Sequence, residues 1–253
     1  MYVQELQFQS IIDSVPLSGG SICSYFQDKI SRTKAFIYPE KLNPLFVECL
    51  LREGFRRCGD LYYQTNCPSC NLCMSYRLPL ERFSLTKSQK RVLQRNQDLT
   101  VTFSRPNITD EKKTMYLEYQ YAQHFLKPSD NTKERFFNPE QTLYIMYEQM
   151  YRNTHNSIEM ELRLQHKLMG FIILDIAERS VSAVYSVYDP YEKRRSSGTA
   201  IILKSIEWAQ KNNFQYYYLG YYIPGHKKMD YKARFKPAQI RDQKTGAWFD
   251  FKQ

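Results

Sequence analysis

Two stretches of this chain carry residues whose types and spacing can do chemistry. The first is Cys67-Pro68-Ser69-Cys70-Asn71-Leu72-Cys73, in which adjacent turns of one loop bring three thiols together where thiolates share a metal. A closed tetrahedral site needs a fourth ligand; Cys23, from a distant stretch, is the candidate, whereas Cys49 lies in a predicted helix and belongs to the core. The set fits zinc or an iron–sulfur cluster, and four thiolates leave no open coordination position, so the expected role is structural. The alternative is three reduced thiols with no metal. The second stretch is Arg194-Arg195-Ser196-Ser197-Gly198-Thr199-Ala200, directly before a predicted helix. Helix N-termini leave backbone N–H groups unpaired and carry positive partial charge, so this turn suits a phosphate or a developing oxyanion. The plain alternative is that Ser196 or Ser197 caps the helix while the arginines face water.

The elements that position these stretches follow from periodicity and capping signals. Residues 1–27 show little periodicity. Asn43-Pro44 supplies an N-cap and a proline at the first helical position, and Phe46, Val47, Leu50 and Leu51 share a face, which predicts a helix over 44–53. A strand is expected around Tyr76–Pro79. Ser84–Asn96 reads as a helix with Lys87, Arg91 and Arg95 four apart on one face; like charges so placed repel weakly, and a phosphate backbone would relieve them. Val101–Ser104 is a short strand, Thr109 caps a helix running to about Phe125, and Asn138-Pro139 opens another through about Met150. The polar segment 127–138 between them is expected to be a mobile loop. Strands over 157–164, 168–176 and 182–188 predict an antiparallel meander, followed by a helix over 198–211 and a strand over 214–219. That order suits a mixed sheet with the last helix packed across it.

Composition narrows the partners. The chain has 253 residues, 42% hydrophobic and 25% charged, which is ordinary for a globular protein, but its net charge of +10 is tolerated best beside a polyanion. Nucleic acid is the first expectation. The 21 tyrosines and 15 phenylalanines could stack on bases, although half-buried strand positions account for most of them. No run of 18 apolar residues occurs and MYVQELQFQSIIDS lacks the pattern of a leader, so a cytoplasmic protein with no membrane partner is expected. In that compartment six cysteines point to thiols, metal or redox chemistry.

The stretches CSYF from Cys23, GFRRCGDLYY from Gly54, CPSCNLC from Cys67, RFSLTKSQKRVLQRN from Arg82, SAVYSVYDP from Ser182, RSSGT from Arg195 and YLGYYIPGHKKMDYKARFKP from Tyr218 resemble, in order, those of the bacterial aminoacyl-tRNA protein transferases. That family includes aspartate/glutamate leucyltransferases and arginyltransferases. The resemblance implies an α+β fold: a GNAT-like mixed sheet with flanking helices over 101–253 and a smaller, cysteine-containing α/β domain over 1–100. It implies an enzyme that moves leucine or arginine from charged tRNA onto the α-amino group of proteins starting with Asp or Glu, marking them for N-end rule degradation, with no organic cofactor. Under that expectation Lys87, Arg91, Arg95, Arg194, Arg195, Ser197, Gly198 and Thr199 hold tRNA. Asp189 or Tyr188 relays a proton, and Tyr221 or Tyr222 supplies one to the leaving ribose oxygen. Arg77, Lys232 or Arg234 meets the acidic side chain of the acceptor, or a tRNA phosphate instead. Asp230 departs from the small or amide residue of many relatives and hints at a cationic donor, against the leucine that the bacterial branch suggests. The competing expectations are a coenzyme A-dependent N-acetyltransferase and a non-catalytic tRNA-binding module.

Overall fold

The computed structural model describes residues 2–125 and 136–252. In chain order the elements are α1 (Tyr2–Ser14), β1 (Ser21–Ile22), β2 (Ile30–Ser31), β3 (Thr33–Ile37), α2 (Pro44–Arg52), β4 (Arg56–Cys58), β5 (Leu61–Thr65), β6 (Met74–Pro79), α3 (Lys87–Arg95), β7 (Thr100–Ser104), α4 (Asp110–His124), α5 (Pro139–Met146), β8 (Ser157–Leu164), β9 (Lys167–Ile176), β10 (Ser180–Tyr188), α6 (Ser197–Lys211), β11 (Tyr216–Tyr222), β12 (Gln239–Arg241) and β13 (Trp248–Asp250). A π-helical turn over Tyr147–Tyr151 extends α5. Most of the expected 127–138 loop lies outside the described residues.

The capping signals do what their chemistry requires. Asn43 accepts from the Leu45 N–H, Thr109 from that of Lys112 and Asn138 from that of Gln141, each satisfying an otherwise orphaned donor. Thr86 and Gln89 form a reciprocal capping box at the start of α3. The first 27 residues are more ordered than their weak periodicity suggests: α1 docks by stacking Phe8 on Phe46 and burying Ile12, a tertiary contact that no local signal announces.

Eight strands form one sheet in the order β13-β12-β6-β11-β10-β9-β8-β7. The meander β8-β9-β10 is antiparallel as expected, whereas β10 and β11 run parallel, joined by α6. Strand β6 sits between β11 and β12, so the sheet crosses the expected division at residue 100. Buried on both faces, β9 reads as the near-continuous apolar run LMGFIIL, with Ile172 and Leu174 turned toward α3 and α6 and Phe171 and Ile173 toward α4 and α5. Helices α1 and α2 and the small antiparallel sheet β3-β5-β4 pack together against Ala177 and Tyr218 of the large sheet's β9–β10 turn and β11. The small sheet's anchor is Arg57, whose Nε and Nη2 each meet the Asp175 carboxylate at 2.8 Å, with Ser157 and two backbone carbonyls taking further donors.

Candidate functional site

Strands β10 and β11 are paired only from Ser180/Tyr216 to Ser182/Tyr218. Past that point they part. A bulge between Ala183 and Tyr185 turns β10 aside, and one between Tyr218 and Gly220 turns β11, where Gly220 has φ of 84°. The wedge so opened runs along β10, whose end at Tyr188 meets the N-terminus of α6.

At the helix end, Ser196 takes a left-handed conformation and makes no side-chain capping bond, so the capping alternative fails. The turn leaves the first N–H groups of α6 without helical partners, and the Ser197 hydroxyl is buried with no hydrogen-bond partner. Gly198 is required by contact: a Cβ there would stand 2.7 Å from the Tyr188 ring. Tyr188 thus rests on the helix mouth, its ring edge-on to Tyr119. Burial pushes its phenol above the ordinary value, opposed by a hydrogen bond from Tyr119, so it keeps its proton at neutral pH.

The expected cationic groups divide. Lys87, Arg91, Arg95 and Arg194 are exposed, and α3 packs beside α6. Arg195 instead grips Asp98 through both Nη atoms at 2.8 and 2.9 Å, and Arg95 donates to the Arg194 carbonyl. These two fasten the turn to α3 rather than offering open donors. Thr199 is half-buried in the first turn of α6, its N–H bonded to the Ser196 carbonyl.

Other expected residues are committed elsewhere. The carboxylate of Asp189 accepts from Lys167 Nζ at 2.8 Å and from the Tyr191 N–H at 2.9 Å. Burial disfavours its charge, but those donors outweigh burial and hold the carboxyl below its usual range, which makes it a weak base. The Tyr221 hydroxyl donates to the Gly54 carbonyl and accepts from the Thr65 N–H, away from the helix mouth. Tyr222 packs against Tyr76 and Phe251 and hydrogen-bonds to the half-buried Asp230. Arg77 lies between the rings of Tyr216 and Trp248, 3.9 Å from each centroid, bonded to Gln239 and Tyr218. Arg234 is exposed, and its carbonyl receives Gln89 of α3.

Lys232 is buried, its Nζ donating to the Tyr221 carbonyl and the Met229 sulfur. Burial, then the nearby Arg56, brings its ammonium down to about 7. Sequence reasoning passed over Arg56, the third residue of GFRRC. Its guanidinium reaches from β4 into the wedge, donating to Ser182 Oγ and the Ala183 carbonyl. The adjacent Arg-Arg pair, on a strand beside two glycines, was the available signal.

Cys23, Cys67, Cys70 and Cys73 line one cavity with Tyr25, Phe26, Thr65 and Gln243, and all four are free thiols. Burial, followed by the neighbouring thiols Cys67, Cys23 and Cys70, pushes the Cys73 thiol up to about 12. The donor chemistry suits a thiolate site, and the four thiols share this cavity, although among the described residues no group of three or more His, Cys, Asp or Glu is already gathered at metal-binding distance. Cys49 is buried in α2 as expected.

A family model described as the C terminus of arginine-tRNA-protein transferase matches residues 111–242, and its N-terminal counterpart matches 21–91. The chain belongs to that family. Its curated relatives include an aspartate/glutamate leucyltransferase of Leptospira interrogans, 39% identical over 239 residues, covering 93% of this chain and 90% of the relative. One from Stenotrophomonas maltophilia, of the same name, is 34% identical over 241 residues, covering 92% and 91%. Among solved structures, L-PGS from Bacillus licheniformis is similar over 63% of this chain and 50% of its own, at 12% identity and a TM-score of 0.44. As a transferase of this family the protein is an aminoacyltransferase, and its fold is mixed α+β. Among the described residues no helix is long and apolar enough to cross a membrane.

Proposed function

We propose that this transferase moves leucine from charged tRNA onto the α-amino group of proteins that begin with Asp or Glu. The observation that carries the proposal is the wedge between β10 and β11, which leads to an uncapped helix N-terminus flanked by the exposed cations of α3. The aminoacylated tRNA end lies at that mouth, with phosphates against Lys87, Arg91 and Arg194 and the ester carbonyl near the free N–H groups at Ser197 and Gly198. Thr199 lines the same turn.

The acceptor amine has an ordinary pKa of about 7.7 to 8.0, so a usable fraction is neutral at pH 7 and attacks the ester carbonyl. A C–N bond forms, the ester C–O bond breaks, and the amine proton leaves as the ribose oxygen takes one. Tyr188, protonated and resting on the mouth, is the donor best placed of the four expected groups. Asp189, Tyr221 and Tyr222 act by holding the walls in position. Leucine rather than arginine is supported by the names of the relatives.

Cys23, Cys67, Cys70 and Cys73 are the proposed holders of a structural zinc ion or iron–sulfur cluster, supported by their common cavity. No step of the transfer passes through it. The deciding experiment supplies tRNA charged with labelled leucine or arginine to Asp-, Glu- and Lys-starting peptides. Transfer of leucine to the acidic peptides alone is expected; transfer to none of them would refute the proposal, and preference for arginine would refute the donor.

A further inference from the structure

Neighbouring arginines on β4 have opposite fates. Arg57 is neutralised by Asp175 through two hydrogen bonds of 2.8 Å, as a buried cation should be. Arg56, on the other face of the strand, has only neutral partners, the Ser182 hydroxyl at 2.9 Å and the Ala183 carbonyl. Its guanidinium lies over Gly220, where a Cβ would come within 3.1 Å of Nη2, so β11 gives up a side chain to admit it. One residue further along β11, the Tyr221 carbonyl holds the ammonium of Lys232. Among the described residues neither cation forms an ion pair.

Two cations beside one strand, Lys232 buried and Arg56 half-buried, repel each other, and an anion set between them relieves that repulsion. The neighbouring phenol cannot supply that charge. Burial raises Tyr63, so that phenol stays neutral and can only donate or accept hydrogen bonds. Arg56 bonds to Ser182 and Ala183, where β10 leaves β11, so it lies at the root of the wedge. A small anion in this position would lie within the same wedge as the reacting ester.

We propose that Arg56, with Lys232 beside it, is the receptor for the side-chain carboxylate of the acceptor's first residue. The assignment rests on the transferase reading of the wedge and deepens it by naming what reads the acceptor. A guanidinium whose partners are all neutral favours a carboxylate over the isosteric amide, which leaves its charge uncompensated.

The test compares kcat/KM for Asp- and Asn-starting peptides with the full-length enzyme and leucyl-tRNA. Arg56→Gln is expected to lower the Asp value by about 100-fold and the Asn value by less than about threefold, collapsing the discrimination with an unchanged KM for charged tRNA. Lys232→Gln should reduce the same ratio by a smaller factor. Should Arg56→Gln not fold, Arg56→Lys, which keeps a donor for Ser182, carries the same ratio measurement and should retain only part of the preference. A parallel fall for both peptides, or a raised KM for charged tRNA with the ratio intact, overturns the assignment and gives Arg56 a structural or tRNA-phosphate role. Wild-type enzyme that treats the two peptides alike overturns this assignment and leaves the transferase reading standing, whereas transfer to neither overturns both.

Discussion

At the scale of single residues, charge pairing separates what holds the protein together from what is left for a substrate. Replacing Arg57 by Ala strands the buried Asp175 carboxylate and should cost about 3 to 5 kcal/mol, measured by urea denaturation. A loss below about 1 kcal/mol would mean that the small sheet is anchored by its apolar contacts instead. Lys232 acts in the opposite sense. Burial holds its folded-state pKa near 7 against 10.5 in the unfolded chain, so the unfolded chain binds more protons between those values. Its drain on stability is absent above about 10.5, grows as pH falls, and is complete below about 7. The stability difference between Lys232→Met and wild type should therefore shift in the variant's favour from about pH 9.5 to about pH 6.5; a difference independent of pH would contradict an uncompensated buried ammonium. Gly198→Ala drives a methyl into the Tyr188 ring, and Tyr188→Ala should relieve it. A coupling of about 1 kcal/mol or more is expected in the double-mutant cycle, and additivity would place that ring elsewhere.

At the scale of elements, α3 has two working ends. Its capping box and the Gln89 bond to Arg234 fix the N-terminal end, while Asn96 donates to the Val92 and Arg195 carbonyls at the other. The exposed cations on its outer face are therefore held in register with the mouth of α6. Removing Lys87 and Arg91 together should reduce the magnitude of the slope of log affinity for tRNA against log salt by about two. Arg195→Ala, by contrast, should change that slope little and loosen the turn instead, because its guanidinium belongs to Asp98. An equal slope change in both variants would show that Arg195 releases Asp98 to bind phosphate. The helices and their caps were legible because Asn43, Thr86, Thr109 and Asn138 act within one turn of sequence. Helix α1 was not, because what orders it is a stack on Phe46 across the fold.

At the scale of the whole molecule, the N-terminal segment completes the larger sheet and supplies the cation that fills its gap. Strand β6 pairs with β11 and β12, and β4 sends Arg56 between β10 and β11. The cysteine cavity adjoins the same region, since Tyr221 and Ile223 pack with Cys73, Tyr25 and Phe26. Zinc added to metal-free protein is expected to raise the melting temperature, and Cys73→Ser to abolish the rise. No rise in the unsubstituted protein would favour the reading of these residues as plain thiols.

The sequence by itself settled the order of elements from β6 to β11, the cationic character and the family resemblance, because these reside in capping residues, periodicity, composition and motifs that are local along the chain. It also named the helix mouth at Ser197 and Gly198. Tertiary structure decided which charged groups remain open: Asp189, Arg77 and Arg195 found partners, while Arg56 found none of opposite charge. The reason is that a side chain's availability depends on what the fold sets across from it, and the side chains that engage Asp189, Arg77 and Arg195 include Lys167, Trp248 and Asp98, which are 22, 171 and 97 positions away.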